Sequence, residues 1–201
     1  MRLLPSGTSA VLVELDDLDE VLGLYAGLLD APLSGVIDLV PAARTLLVVT
    51  EPSQLVEVRR ALASRARSAG QRRAGELVEV PVVYDGADLD PLAARLGLAP
   101  GELVRRHTSC IWTVGFCGFT AGFGYATSPD WPFEVPRLDT PRTRVPAGSV
   151  AVAGPFGAVY PSASPGGWQL LGRTDLAVLD LSRDPAVLLR PGVRVRYVNL
   201  S

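Results

Sequence analysis

The first eighty residues alternate between apolar runs typical of strands and apolar positions spaced as on one face of a helix. Strands are predicted at 10–15, 36–40, 45–49 and 77–83. Helices are predicted between them, one after the candidate caps Asp16 and Asp17 and one after Pro52. This order of strand, helix, two strands, helix and strand predicts a ferredoxin-like α/β domain, in which two helices cover one face of an antiparallel sheet.

After Asp85 and Gly86 the pattern changes to short apolar runs separated by glycine, proline and serine. One short helix is expected after Asp90 and Pro91, since aspartate is a good N-cap and proline fits the first helical turn. Further strands are predicted at 111–114, 149–153, 158–160, 168–171, 176–179 and 193–198. Regularly spaced short strands favour an antiparallel barrel or sandwich, so we predict an α+β protein with two domains, 1–81 and 82–201.

Charge and cysteine content narrow the class of protein. A formal net charge of −2 argues against a nucleic-acid surface, and we interpret the six arginines between Arg59 and Arg73 as a solvated or partner-facing helix surface. No segment is apolar and long enough to span a bilayer, and the N-terminus does not resemble a secretory signal, so we expect a soluble, cytoplasmic protein. The two cysteines, Cys110 and Cys117, are expected to be reduced.

All 19 basic residues are arginine, and the sequence contains no lysine. A phosphate-binding loop, Schiff-base catalysis and a biotin carrier each require a lysine, so this chain alone supports none of them. Arginine remains charged at neutral pH and therefore binds or polarises anions without moving protons. A coding bias would also explain the absence of lysine, and the exclusion holds in either case.

Two dense segments are candidates for a single site. The segment V-P-R-L-D-T-P-R-T-R-V-P-A-G-S-V at 135–150 combines rigid prolines with Arg137, Arg142 and Arg144. Because prolines fix the backbone direction, these arginines are candidates for an anion-binding site with preset orientation, but for Arg144 we favour a role in supporting the loop or contacting a partner. The segment at 154–174 has the same mixture of turn residues and aromatics and adds Arg173. We therefore expect one site built from two loops.

The loop at 115–125, G-F-C-G-F-T-A-G-F-G-Y, interleaves glycines with aromatic residues. Its glycines, Gly118 and Gly122 among them, would let backbone N–H groups approach a planar or anionic ligand. The same pattern also suits a barrel corner in which the aromatic residues fill the core. We favour the second interpretation for most of the aromatic residues and keep the glycines as candidates.

His107 is the single histidine, so any imidazole catalysis near neutral pH must use it. It follows Arg105 and Arg106 at the expected start of a strand, where a structural role is the alternative. Neither cysteine lies in a nucleophile signature. The carboxylates at 85, 88 and 90 cluster after a strand, but Asp90 is explained as a helix cap, and no metal site is predicted.

Several of these motifs together resemble one family. They are P-V-V-Y-D-G at 81–86, the loop at 115–123, P-R-L-D-T-P-R-T-R-V-P-A-G-S-V at 136–150, S-P-G-G-W at 164–168, G-R-T at 172–174 and L-L-R-P-G-V-R-V-R-Y at 188–197. In order and spacing they are similar to the B subunits of 5-oxoprolinases, also called allophanate hydrolase subunit 1, a family that corresponds to carboxyltransferase subdomains C and D. It includes KipI-type inhibitors of a sensor histidine kinase.

The resemblance implies an N-terminal α/β domain followed by a cyclophilin-like β-barrel. It also implies two partners, the C and A subunits of 5-oxoprolinase, with which the family opens 5-oxoproline to glutamate at the expense of ATP. Activity would need the complex, and ATP would be bound mainly with a partner. No biotin would be carried on this chain.

When the motifs of the family are matched to this sequence, the resemblance implies that His107 and Arg142 are candidate catalytic residues. Candidate substrate or phosphate ligands are Arg137, Arg173, Gly148, Ser149, Gly166, Gly167, Gly118 and Gly122. The family commonly has proline where this chain has Ala121 and Gly124, which leaves the loop less rigid. The alternatives that the sequence leaves open are a KipI-like kinase inhibitor and a component of an allophanate- or urea-type amidohydrolase or carboxyltransferase.

Overall fold

A computed structural model of the protein describes residues 1–65 and 75–200. The chain divides into two compact units, Met1–Ala74 and Gly75–Ser201. The arginines beyond Arg65 in the predicted basic helix, together with its expected end near Gly70, lie outside the described residues. No helix in the described part of the chain has both the length and the apolar character needed to cross a membrane.

Among its described residues, the first unit contains a four-stranded antiparallel sheet and two helices. Its strands are β1 (Arg2–Ser6), β2 (Ala10–Glu14), β3 (Val36–Pro41) and β4 (Thr45–Thr50), and its helices are α1 (Leu18–Asp30) and α2 (Leu55–Ser64), the latter preceded by a 3₁₀ turn at Pro52–Gln54. Helix α1 begins where predicted because the Asp17 carboxylate accepts a hydrogen bond of 2.8 Å from the Glu20 N–H. Apolar residues of both helices, including Val21 and Leu62, are buried in one core with Val13 and Val48 of the sheet.

The strand order in this sheet is β1-β2-β4-β3. This is the strand order of a ferredoxin-like sheet, except that another strand occupies the position of the predicted fourth strand. The edge position beside β2 is occupied by β1, an N-terminal strand that the apolar pattern did not predict. The predicted fourth strand, Leu77–Val82, is a strand but lies in the sheet of the second unit. The compact units accordingly divide after Ala74, seven residues before the predicted boundary after residue 81.

The second unit contains nine strands and two helices among its described residues. Its strands are β5 (Leu77–Val82), β6 (Trp112–Cys117), β7 (Gly124–Thr127), β8 (Arg142–Val145), β9 (Ser149–Ala153), β10 (Phe156–Val159), β11 (Ser164–Gly166), β12 (Gln169–Arg173) and β13 (Arg194–Asn199), and its helices are α3 (Leu89–Arg95) and α4 (Pro100–Ser109). Seven strands form one sheet in the order β12-β9-β10-β7-β6-β13-β5, and β8 and β11 form a separate pair.

The seven-stranded sheet curves until its two edges meet. Immediately after β5, Val83 exchanges two backbone hydrogen bonds of 2.9 Å with Arg173 at the end of β12. At the other side of β5, the pairing with β13 is parallel, from Leu77 opposite Arg194 to Val82 opposite Asn199. The Val83–Arg173 bridge, which we call the closing bridge, completes the predicted β-barrel, and the α+β class predicted from the sequence is confirmed.

Both faces of the barrel wall are covered, as strand β9 illustrates. Its residues Val150 and Val152 belong to a large core that also contains apolar residues of α3 and α4. Its residues Ala151 and Ala153 point to a second core formed with Phe123, Tyr160 and Trp168. A strand buried on both faces reads as an unbroken apolar run, which explains why S-V-A-V-A was predicted correctly.

Three local predictions for the second unit need correction. Residues 176–179 form no regular strand, although Leu179 makes an isolated bridge with Val187. Asp90 is not a helix cap, because α3 begins at Leu89 and Asp90 lies in its first turn. The stretch before Cys110, expected to lead into a strand, is instead the helix α4, which starts with Pro100 in its first turn.

Candidate functional site

The two proline- and glycine-rich segments predicted to form one site do lie side by side. Strand β8 pairs with β11, and this pairing places Arg142 opposite Gly166. The Leu138 N–H donates to the Gly167 carbonyl at 2.7 Å, and the Gln169 side-chain amide donates to the Pro136 carbonyl at 2.9 Å. The backbone of 136–145 is therefore held against that of 164–169 along its length.

Arg142 is held in place by a carboxylate from a third segment. Its Nη2 donates to Asp88 Oδ1 at 2.6 Å, and Asp88 Oδ2 accepts the Leu170 N–H at 2.7 Å. Asp88 is 7% exposed, so the charge pair is largely shielded from water. The second amino group of Arg142, Nη1, is buried and has no hydrogen-bond partner among the described residues. A buried guanidinium N–H without an acceptor is costly, and a bound anion would satisfy it.

Arg137 and two tyrosines complete this group. Arg137 is exposed and forms no ion pair with any described carboxylate. Burial raises the pKa of Tyr160, while the Trp168 backbone N–H and the charges of Arg137 and Arg142 act in the opposite direction. Burial also raises the pKa of Tyr125, and Arg137 opposes that rise. The Tyr160 hydroxyl lies against Gly166, the residue opposite Arg142, and the Tyr125 ring packs on Trp168 in the same segment. Arg137 precedes Leu138, which bonds to Gly167. We call Arg137, Arg142, Tyr125 and Tyr160 the arginine site.

Arg173, the third predicted anion ligand, has a different environment. Its guanidinium pairs with Asp85 at 2.9 Å, and the two side chains are 57% and 47% exposed. Exposed ion pairs of this kind contribute little to stability. Its backbone forms the closing bridge with Val83. Arg173 thus has a structural position on the barrel surface, and its guanidinium is already engaged by a carboxylate.

The predicted backbone donors are mostly engaged within the protein. The Gly148 N–H donates to the Tyr160 carbonyl at 2.8 Å, the Ser149 N–H to the Pro146 carbonyl at 3.4 Å, and the Gly118 N–H to the Phe123 carbonyl at 3.1 Å. These three amides therefore serve the fold instead of a ligand.

Space and backbone conformation explain two of the other glycines. A Cβ at Gly166 would lie 2.3 Å from the Tyr160 hydroxyl, and Gly122 has a φ of +77°. Larger residues would therefore displace Tyr160 at the first position and strain the turn at the second. Gly167 accepts the hydrogen bond from Leu138 and lies in the second segment of the site.

His107 does not lie at a surface site. It is fully buried on α4, its Nδ1 lies 2.7 Å from the Tyr84 hydroxyl, and its ring centroid is 4.3 Å from that of Tyr197. Burial lowers the pKa of His107 from 6.5 to about 3. An imidazole that stays neutral at physiological pH and is enclosed by aromatic rings supports the structural interpretation and not the catalytic one. The cysteines are free thiols whose pKa values are raised by burial.

The glycine-aromatic loop connects β6 to β7, and its aromatic residues supply the second barrel core. The Phe123 ring makes edge-to-face contacts with Tyr160 and Trp168 at centroid distances of 5.1 and 5.4 Å. Phe119 differs, since it is 63% exposed and has a φ of +65°, which is rare for a bulky residue. The barrel-corner interpretation therefore describes Phe123 and Tyr125, while Phe119 stands outside the core.

The sequence does not predict Tyr125 and Tyr160 as members of the arginine site, nor Asp88 as the residue that holds it. In the sequence Asp88 is one of three clustered carboxylates, and the two tyrosines are residues within motifs. The described residues contain no group of three or more histidine, cysteine or acidic side chains positioned to hold a metal ion.

The first unit also has a groove of about 250 Å³, lined mainly by apolar residues of α1, β3 and the segment between them, such as Leu28, Leu39 and Leu33. None of its described lining residues is cationic. The arginine site is therefore the better candidate for a small anion, because it combines a fixed guanidinium, an exposed guanidinium and two phenol hydroxyls. That donor set suits a carboxylate or a phosphoryl group.

Comparisons with known proteins agree on one family. The model of the carboxyltransferase domain, subdomains C and D, matches residues 1–189. The 5-oxoprolinase B subunit of Escherichia coli O157:H7 is 37% identical over 204 residues, which cover 96% of this chain and 93% of that protein. The 5-oxoprolinase B subunit of Bacillus subtilis is 34% identical over 191 residues, covering 86% of this chain and 79% of that protein.

Solved structures share the fold. The crystal structure of TTHA0988 matches with a TM-score of 0.79 and 36% identity over 96% of this chain, which corresponds to 40% of that longer chain. The urea amidolyase of Kluyveromyces lactis matches the whole chain with a TM-score of 0.72 at 19% identity, and the match covers 16% of that chain. At that identity the likeness shows the fold alone.

Proposed function

Because the chain belongs to the carboxyltransferase subdomain C and D family, we propose that it is the B subunit of an ATP-dependent 5-oxoprolinase. In this proposal it is a hydrolase subunit that opens a cyclic amide, 5-oxoproline, to glutamate, and it acts in complex with a C subunit and an A subunit. The names of the relatives from Escherichia coli and Bacillus subtilis support this choice over other amide substrates.

The observation that carries the proposal is Arg142, held by Asp88 through one amino group while its Nη1 is buried without an acceptor. 5-Oxoproline has one carboxylate and one lactam carbonyl. A carboxylate on Arg142 Nη1 would fix the ring by a charge-assisted hydrogen bond. The phenol hydroxyls of Tyr125 and Tyr160 are then the nearby neutral donors for the lactam oxygen, on which negative charge develops during activation.

ATP would supply the phosphoryl group that activates the lactam oxygen. The chain has no lysine and no phosphate-binding loop, so we propose that the nucleotide is bound mainly by a partner subunit. Arg137 is the cation that this chain can direct to a phosphoryl oxygen, since it is exposed and is not paired with any described carboxylate. The contribution of this chain is then to bind and orient the substrate and to stabilise negative charge.

The test is ATP hydrolysis by the protein combined with its cognate A and C subunits, with and without 5-oxoproline, while glutamate release is followed. Stimulation of ATP hydrolysis by 5-oxoproline together with glutamate formation is expected. A stable complex that hydrolyses ATP without responding to 5-oxoproline would contradict the proposed substrate. Failure to bind a C subunit would contradict the proposed assembly.

Replacing Arg142 with alanine is expected to lower the assembled activity by at least about 100-fold, the scale on which an oriented donor acts in catalysis. The matched control is Arg144→Ala, two residues along β8, where the side chain is exposed. That variant should keep turnover within a factor of about two. Unchanged turnover in Arg142→Ala, with the complex intact, would remove the arginine site from the mechanism.

A further inference from the structure

Asp88 connects the arginine site to the barrel wall. It follows β5 and precedes α3, but its side chain makes no capping hydrogen bond to that helix. Its carboxylate instead accepts from Arg142 Nη2 at 2.6 Å and from the Leu170 N–H at 2.7 Å. Its own N–H donates to the Leu170 carbonyl at 3.1 Å. One oxygen and the backbone of Asp88 are thus fixed relative to β12, and the other oxygen holds Arg142 of β8.

From this arrangement we infer that Asp88 is a positioning and specificity-determining residue, which aims Arg142 Nη1 at the ligand and adapts the site to an anion with a single negative charge. The inference rests on the proposed function, in which that ligand is the carboxylate of 5-oxoproline. It concerns how the site separates a carboxylate from a phosphate.

The positioning part follows from geometry. A guanidinium is planar, so a carboxylate bound at Nη2 determines where the N–H groups of Nη1 point. The Arg142 side chain is 28% exposed and that of Asp88 is 10% exposed, so water competes weakly for either group. Without Asp88, Arg142 would be free to rotate toward solvent.

The specificity part follows from charge. Asp88 neutralises Arg142, so Arg142 offers oriented donors, and the arginine site together with Asp88 has a net charge of +1, contributed by Arg137. A monoanionic carboxylate balances that charge. Inorganic phosphate has between one and two negative charges at neutral pH, and its second charge would lie near the Asp88 carboxylate, which repels it.

The experiment measures two dissociation constants by calorimetry on the complex with the cognate C subunit, one for 5-oxoproline and one for inorganic phosphate. The Asp88→Asn variant keeps an oxygen that can accept the hydrogen bond from the Leu170 N–H, but it loses the negative charge. We expect 5-oxoproline to bind at least about 10-fold more weakly and phosphate to bind about 3-fold or more tightly, so that the preference shifts by about 30-fold or more.

Two further variants separate charge from shape. Asp88→Glu keeps the charge but displaces the carboxylate by one methylene, so it should weaken 5-oxoproline binding without improving phosphate binding. Asp85→Asn is the matched control, because Asp85 lies in the same turn and pairs with the exposed Arg173. Both dissociation constants should stay within a factor of about two in that control.

A double-mutant cycle tests whether Asp88 acts through Arg142. In an Arg142→Ala background, Asp88→Asn should change 5-oxoproline affinity by less than a factor of about two. Equal effects on both ligands in Asp88→Asn, or a full effect in the Arg142→Ala background, would overturn the inference while leaving the proposed function in place. Absence of 5-oxoproline binding in the unaltered complex would instead overturn the proposed function itself, and the inference with it.

Discussion

The surroundings of a side chain decide what its chemistry can be used for, and His107 and Arg142 show this within one unit. His107 is enclosed by Tyr84, Trp112, Trp131 and Tyr197 and meets no charge among the described residues. Arg142 has a carboxylate on one amino group and, in the described part of the chain, no acceptor on the other. The environment of the first residue suits packing, whereas the second keeps one amino group that no described protein group satisfies.

Burial of His107 makes the stability of the second unit depend on pH. The pKa of His107 is about 3 in the folded protein, whereas its ordinary value, which applies to the unfolded chain, is 6.5. Between these two pH values the unfolded chain binds a proton at His107 and the folded chain does not. The stability from this group is therefore present above pH 6.5 and lost as pH falls toward 3. Between about pH 7.5 and about pH 5 the expected loss is about 2 kcal/mol.

The measurement is urea unfolding followed by tryptophan fluorescence at the two pH values, comparing Tyr84→Phe with the double variant Tyr84→Phe, His107→Phe. The single variant removes the hydrogen-bond partner of His107 but keeps the titrating ring, so it should show the larger loss at the acidic pH. Carboxylates contribute equally to both proteins. Equal losses would mean that His107 is protonated as readily in the folded state as in the unfolded one.

At the level of elements, local pattern predicted most helices and strands but not their partners. Helix α1 and strands β3, β4 and β9 were predicted within a residue or two, because caps and apolar runs are local signals. Helix α4 was missed, since its Pro-Gly start and its polar last turn, which contains His107, look like a loop. Strand β1 was missed because Pro5 interrupts its short apolar run.

The closing bridge depends on glycine at a neighbouring position, and this can be tested. A Cβ at Gly172 would lie 2.3 Å from the Val83 carbonyl oxygen and 3.0 Å from Tyr84 Cα, both of them backbone atoms that cannot move aside. Gly172→Ala is therefore expected to lower the free energy of unfolding by about 2 kcal/mol or more. Tryptophan fluorescence during urea unfolding reports the change.

The matched control for that variant is Gly101→Ala in α4. The nearest atom to a Cβ there is the mobile Arg105 Nη1, at 3.8 Å. Alanine in a helix is better than glycine by up to about 1 kcal/mol, so stability should stay unchanged or rise. If both alanine variants behaved alike, the close approach at the closing bridge would contribute nothing to stability.

For the molecule as a whole, the main discrepancy between sequence and structure is the sheet to which β5 belongs. The segment L-V-E-V-P-V has the composition of a strand in either unit, and nothing local distinguishes the two sheets. Its pairing with β13, more than a hundred residues later in the chain, is what places β5 in the sheet of the second unit. The arginine site shares this property, since the carboxylate of Asp88 and the guanidinium of Arg142 come from distant segments.

The position of β5 predicts which fragment folds. A fragment of residues 75–201 contains every described strand of the barrel and should unfold cooperatively in urea. A fragment of residues 82–201 keeps only Val82 of β5, so β13 loses its parallel neighbour and Val83 is no longer the continuation of a strand in the sheet. This fragment should show no cooperative transition. All three tryptophans, Trp112, Trp131 and Trp168, lie in both fragments, so fluorescence monitors each one. A cooperative transition of equal midpoint in the shorter fragment would contradict this account.

The parallel pairing of β5 with β13 also determines how the barrel fits into a longer polypeptide. In an antiparallel barrel with adjacent terminal strands, the chain would enter and leave at the same end. Here the first and last strands run in the same direction for six residue pairs, so entry and exit lie at opposite ends, separated by about 20 Å. The points at which the chain enters and leaves this unit are therefore spaced along the strand direction, and no return loop is needed to separate them.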